Sequence, residues 1–253
     1  MIDLLDHPVL VFVLSLPVFW FAGWLGAWFR KRRVDLQEAT RTDLTFVLGG
    51  ALTLLGLIIG FTFSMAVTRY DQRKNDEAAE ANAVGTEYVR ADFLPARDAA
   101  RIRALLKNYL AQRILRYKIR GGKQILEADA RIAQLQTGMW SAVVTSAATA
   151  SPTVTPFVGS GMNDVTNSQR LSQAAWRNRI PIAAWALVIA ISIFCNLLIG
   201  FVAHGQRTFR FLVLPIALSI SLFLIADIDS PLGGVIKVRP ENLENLAESL
   251  DSP

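Results

Sequence analysis

Four long apolar runs constrain this chain more than any other feature. They cover residues 8–29, 44–67, 180–203 and 209–225. The first is 22 residues long and carries no charged side chain. About 20 such residues cross a hydrocarbon core of roughly 30 Å as a helix. The first run lacks a basic stretch before it, and Arg30, Lys31, Arg32 and Arg33 follow it where a signal peptide would have small residues. It therefore reads as a retained helix rather than a leader. Hydrophobic residues make up 52% of the 253 positions, with a mean hydropathy of +0.35. Most of the charge lies between Arg69 and Arg179. Such segregation of apolar runs from charged sequence marks a membrane protein.

The expected fold class is an all-α integral membrane protein. Four transmembrane helices form two pairs, with a helical soluble domain inserted between the second and the third. The expected boundaries are 1–68 for the first pair, 69–179 for the insert, 180–228 for the second hairpin and 229–253 for a C-terminal tail. Within the insert, Arg69 to Arg90 continues the second helix, with helix formers and no breaker. Ile102, Leu105, Leu106, Tyr109, Ile114 and Tyr117 then give residues 97–120 an amphipathic helical period. A further helix covers 123–149. Residues 150–161, rich in Ser, Thr, Pro and Gly, read as a loop. Asn163 or Asp164 is expected to cap a helix that runs into the third span, which Pro181 opens. Residues 204–208 leave room only for a tight turn between the last two spans. The segment 227–240 reads as turn-rich, followed by an acidic tail.

The insert holds 17 Lys/Arg against 10 Asp/Glu, a local charge of +7. Beside a bilayer such charge faces lipid head groups, and nucleic acid is not an expected partner. Which side the insert faces is left open by the positive-inside rule, because both sides are basic. The chain has one cysteine, Cys195, so it forms no internal disulfide. His7 and His204 share no metal-ligand spacing with other residues. No phosphate loop, no HExxH and no His-anchored dyad is present. The expectation is no enzyme, no cofactor and no metal. Glu77, Glu80 and Glu87 lie on one predicted helix among Arg73, Lys74 and Arg90, and read as a solvated, salt-bridged surface.

The second span is the most informative segment. Gly56 and Gly60 form a GxxxG pair that permits close helix packing, either within the chain or between subunits. Thr53, Leu57 and Phe61 fall at i, i+4 and i+8, one stripe along the helix. In a simple bundle that stripe is core, and in a ring of helices it lines a narrow apolar pore. Arg69 follows the stripe and would attract anions. Asp227 and Asp229 close the fourth span. They read as capping or turn residues, or as a preference for cations if they face a pathway.

Gly56-Leu-Ile-Ile-Gly-Phe-Thr-Phe-Ser-Met-Ala-Val-Thr-Arg-Tyr-Asp-Gln-Arg-Lys74 resembles the pore-lining second helix of bestrophin anion channels. Over most of its length the chain is similar to the bacterial bestrophin-like domain family. Glu80-Ala-Asn82, Tyr88, Leu94-Pro95, Tyr109, Asp229-Ser-Pro-Leu-Gly-Gly234 and Val238-Arg-Pro240 carry that similarity. The resemblance implies a homo-oligomeric, pentameric ion channel that prefers anions. It would sit among membrane lipids in a bacterial inner membrane, with inorganic ions as its cargo. It also implies that the insert and both termini are cytoplasmic. Two features depart from bestrophins: Thr53 is polar where the neck begins with an apolar residue, and the acidic calcium-binding cluster has no clear counterpart. The alternative is a membrane-anchored helical scaffold that transports nothing.

Overall fold

The computed structural model describes residues 6–33, 38–148, 150–202, 210–231 and 233–252. The turn expected at 204–208 lies outside the described residues. Every regular element among them is helical. In chain order they are α1 (Pro8–Arg33), α2 (Glu38–Arg90), a 3-10 turn (Ala91–Phe93), α3 (Ala96–Lys118), α4 (Gly122–Ser146), α5 (Val154–Arg177), α6 (Ile182–Val202), α7 (Arg210–Asp229) and α8 (Glu241–Asp251). Among the described residues, four helical segments are long and apolar enough to cross a membrane. The chain divides into two compact units, one of residues 1–70 and 179–237, the other of residues 71–178 and 238–253.

In the first unit α1 packs against α6 and α7. Phe19, Leu55, Ala66, Trp185, Val188, Cys195, Leu222 and Ile225 form its core. Glycine sets the closest approach. A Cβ on Gly26 would overlap the Leu197 carbonyl, and one on Gly200 would overlap the Gly23 carbonyl. Only glycine allows two backbones to meet at that distance. At Gly56 and Gly60, the pair expected to serve packing either within the chain or between subunits, an added Cβ would meet nothing within 4 Å among the described residues outside its own helix. A hydrogen bond from Ser15 to Ser219, 2.9 Å long, ties α1 to α7.

In the second unit α3, α4 and α5 close around Ile102, Leu106, Tyr109, Ile132, Met139, Val158, Met162 and Val165. The helices of this unit correct three expectations. Residues 154–161 are helix, not loop, so Asn163 and Asp164 lie well inside α5 and cap nothing. Packing overrides the local propensity here: Val158, Gly161, Met162 and Val165 are all buried. Pro156 sits in the first turn, where a missing N–H costs little. Helix α5 also stops at Arg177 and does not run into α6. In the first unit Pro181 stands just before α6, its carbonyl accepting from the Ala184 and Trp185 N–H groups. The acidic tail folds as α8, with Leu243 buried and Leu246 against Gly85.

Candidate functional site

Helix α2 shows its chemistry on opposite sides. In the first unit Leu55, Thr62 and Ala66 are buried. At about 100° per residue they fall on one side of the helix. Thr53, Leu57 and Phe61 fall on the other side and are exposed, Leu57 by 53% and Phe61 by 64%. Among the described residues they are therefore not core, the reading that their period alone favoured. Gly56 and Gly60 lie on the same exposed side, and the surface continues through Ser64 and Thr68. The hydroxyl of Thr53 donates to the Gly49 carbonyl at 3.0 Å, and that of Thr68 to the Ser64 carbonyl at 2.9 Å. Both polar side chains thus satisfy their donor inside the helix and leave a surface of small residues broken by two large apolar ones. Only 6% of the most apolar stretch of α2 is buried by the rest of the chain.

Arg69 is separated from this surface. Sixteen residues beyond Thr53, it lies roughly 160° around the helix and is only partly exposed. One of its terminal nitrogens donates to the Met65 carbonyl at 3.4 Å.

Asp227 and Asp229 are both buried. The two carboxylate oxygens of Asp227 accept the backbone N–H groups of Val235 and Ile236 at 2.7 and 2.8 Å. Asp229 accepts the N–H of Ile180 at 3.3 Å. A Cβ on Gly234 would overlap the Asp227 carbonyl, which explains the glycine in this tight return. Nearby, Arg179 pairs with Asp6. Both acids thus hold the chain where it leaves α7 and where it enters α6. Among the described residues, no group of three metal-ligating side chains forms.

The acids of the second unit overturn the expectation of a solvated surface. Glu77, Glu80 and Glu87 are all buried. Glu80 receives Tyr109 at 2.8 Å and a second bond from Arg113 at 2.7 Å, while Arg113 also reaches Ser172. Burial, and then the neighbouring Glu80 carboxylate, raises the Tyr109 phenol well above its ordinary value. Burial works against the charge on Arg113, but Glu80 more than compensates and holds it above its usual value. Glu77 accepts the Leu243 N–H at 2.9 Å and the Asn242 amide at 2.6 Å, capping α8. Charge spacing alone did not show this. The signal present in the sequence was that Glu80 and Tyr109 both fall among the family-like residues.

Residues 16–243 match the family described as the bestrophin-like domain. The chain belongs to that family. Its fold is shared with solved bacterial bestrophin homologs from Klebsiella pneumoniae. One, a single-residue variant, is 12% identical with a TM-score of 0.65, covering 94% of this chain and 97% of that one. Another, phased on zinc, is 13% identical with a TM-score of 0.63, covering 96% of each chain. At such identity the likeness shows the fold alone. No curated protein matches the chain.

Proposed function

We propose that this bestrophin-like protein is a homo-oligomeric ion channel, pentameric as its family resemblance implies, with α2 lining the pore. The observation that carries this reading is the uncovered surface of α2. A face that only met lipid would have no use for glycine at 56 and 60 or for the hydroxyls of Thr53, Ser64 and Thr68. A face on a symmetry axis uses both kinds, small residues for close approach and hydroxyls for contact with water or ions. One subunit has too few apolar helices to enclose a pore and its shell, so conduction requires a ring.

In this arrangement Leu57 and Phe61 form an apolar constriction that gates by wetting, with Thr53 at its polar end. Arg69 stands off the lining and acts through its field, favouring anions. Asp227 and Asp229 are consumed by backbone donors and stay out of selectivity. The apolar helices lie in a bacterial inner membrane as two pairs, and the helical insert between the second and third faces the cytoplasm. Reporter fusions at Gly121 test this orientation, and an active periplasmic reporter there overturns it.

The functional test is a planar-bilayer recording of the purified full chain beside a mass measurement in detergent. Currents from an oligomer support the channel. A monomer, or an oligomer without current in any variant of the lining, overturns it. A stable complex with another protein and no flux would instead favour the membrane-anchored scaffold.

A further inference from the structure

Glu87 stands apart from the other buried acids of the second unit. It lies on α2, twenty residues beyond the apolar run 44–67, and its exposure is 0%. Neither carboxylate oxygen has a hydrogen-bond partner among the described residues. Glu77 and Glu80, about three and two helical turns back along the same helix, each accept at least two donors. Helix α5 is pressed onto the Glu87 carboxylate: a Cβ on Gly161 would overlap it and would also meet the Arg90 guanidinium. Position 161 therefore has no room for a side chain.

The charged neighbours are few. Arg90, on the same helix, is stacked over Phe157 at 4.6 Å and lies 3.7 Å from Asp164 of α5. On α3 the nearby cation, Arg103, is bound to the Tyr88 carbonyl and to Asp92 of the 3-10 turn. Glu87 is thus the one acid of the three that is enclosed without a donor. An ionised carboxylate in such a place is strongly disfavoured, and the neutral acid is the form that fits. A metal ion is a poor alternative, because the described residues form no three-ligand group and Arg90 places a positive charge beside the site.

We infer that Glu87 is a proton-binding site built into the contact between α2 and α5, and that loss of its proton loosens α5 from α2. Burial pushes this acid up to about 8, with Arg90 pulling it down and Asp164 pushing it further up. Its ordinary value is 4.5. Between those two values the folded chain holds a proton that the unfolded chain has released. The contribution of the site to stability is therefore complete below pH 4.5 and is lost as pH rises through about 8. The contact responds between about pH 4.5 and about 8, and it does so whether or not the protein conducts.

The test compares the purified full-length protein with Glu87→Gln, which keeps the shape and removes the titration. Amide hydrogen exchange of residues 154–177 is measured at pH 6 and pH 9 and corrected for the intrinsic pH dependence of exchange. The expected result is that protection of α5 falls about tenfold or more in the parent and stays level in the variant. An equal response in both proteins overturns the inference. If the variant does not fold, infrared spectra of the parent decide: a buried protonated-carboxyl band at pH 6 that disappears by pH 9 supports the site. Absence of that band at pH 6 overturns it.

Discussion

The two stretches of helix α2 solve opposite problems with one backbone. In residues 44–67 the outward side carries Leu57 and Phe61 while the inward side buries the hydroxyl of Thr62, bonded to the Ile58 carbonyl at 2.7 Å. In residues 71–90 Asp76, Glu77, Glu80 and Glu87 are buried, Asp71 is exposed, and the exposed positions are largely polar. The first stretch suits a surrounding with no water, where apolar side chains cost nothing outside and each polar group must bond within the protein. The second suits water outside, and its buried charges survive only where donors meet them, as Arg113 and Tyr109 meet Glu80. Exposure therefore has no single meaning along this helix. A buried acid in one stretch and an exposed phenylalanine in the other are both in keeping with their surroundings.

The largest expected effect falls on the watery stretch. Glu80→Ala leaves Arg113 buried without its carboxylate and should cost about 3–5 kcal/mol, read as a lower midpoint in chemical unfolding. A change under about 1 kcal/mol would mean that the pair is far wetter than its burial implies. Next come the glycines, which sharpen the contrast between the two sides of the apolar unit. Gly200→Leu forces a side chain onto the Gly23 carbonyl and should lower thermal stability by a few kcal/mol or prevent folding. A Cβ on Gly56 meets nothing within 4 Å among the described residues, so Gly56→Leu should leave the subunit folded while altering oligomer mass or current. Equal damage from both would show that the exposed face of α2 is packed within the subunit after all.

Smaller changes test the lining itself. Leu57→Ala and Phe61→Ala remove exposed side chains, so stability should move by less than about 1 kcal/mol. Single-channel conductance should rise a few-fold as the constriction widens and wets more easily. Unchanged conductance in both would place the narrowest point elsewhere. The smallest effect is expected from Arg69→Glu. Because Arg69 lies off the exposed side, reversing its charge should shift the reversal potential toward cations by only a few millivolts, and less at high salt. A complete reversal of selectivity would put Arg69 in direct contact with the ions.

One geometric feature of the candidate lining was legible before the fold was known. The period of Thr53, Leu57 and Phe61 showed that they share a side of a helix, since 3.6 residues per turn needs no tertiary information. It did not show whether that side meets a neighbouring helix or remains open. The same limit explains Glu77, Glu80 and Glu87. Basic residues nearby in sequence suggested a solvated face, but the partners of Glu80 come from α3, about thirty residues away in sequence. The donors to Glu77 come from α8.

Read without coordinates, the chain already pointed to an apolar surrounding for four of its segments and to the family of the whole. Twenty consecutive apolar residues select a membrane-like surrounding whatever they later pack against, because the transfer energy adds along the run. The strung-out pattern of Glu80, Tyr109, Pro95 and the residues 229–240 likewise pointed to the bestrophin-like family without coordinates. Which side of each helix meets another part of the chain came from the fold alone. It turned 154–161 from a loop into helix, through the burial of Val158, Gly161 and Met162. It revealed close helix packing within the chain at Gly26 and Gly200, leaving Gly56 and Gly60 uncovered among the described residues, and it separated the satisfied Glu80 from the isolated Glu87. The physical reason is common to all three. Burial is a property of pairs of surfaces distant in sequence, and a helical period specifies a face without specifying what covers it.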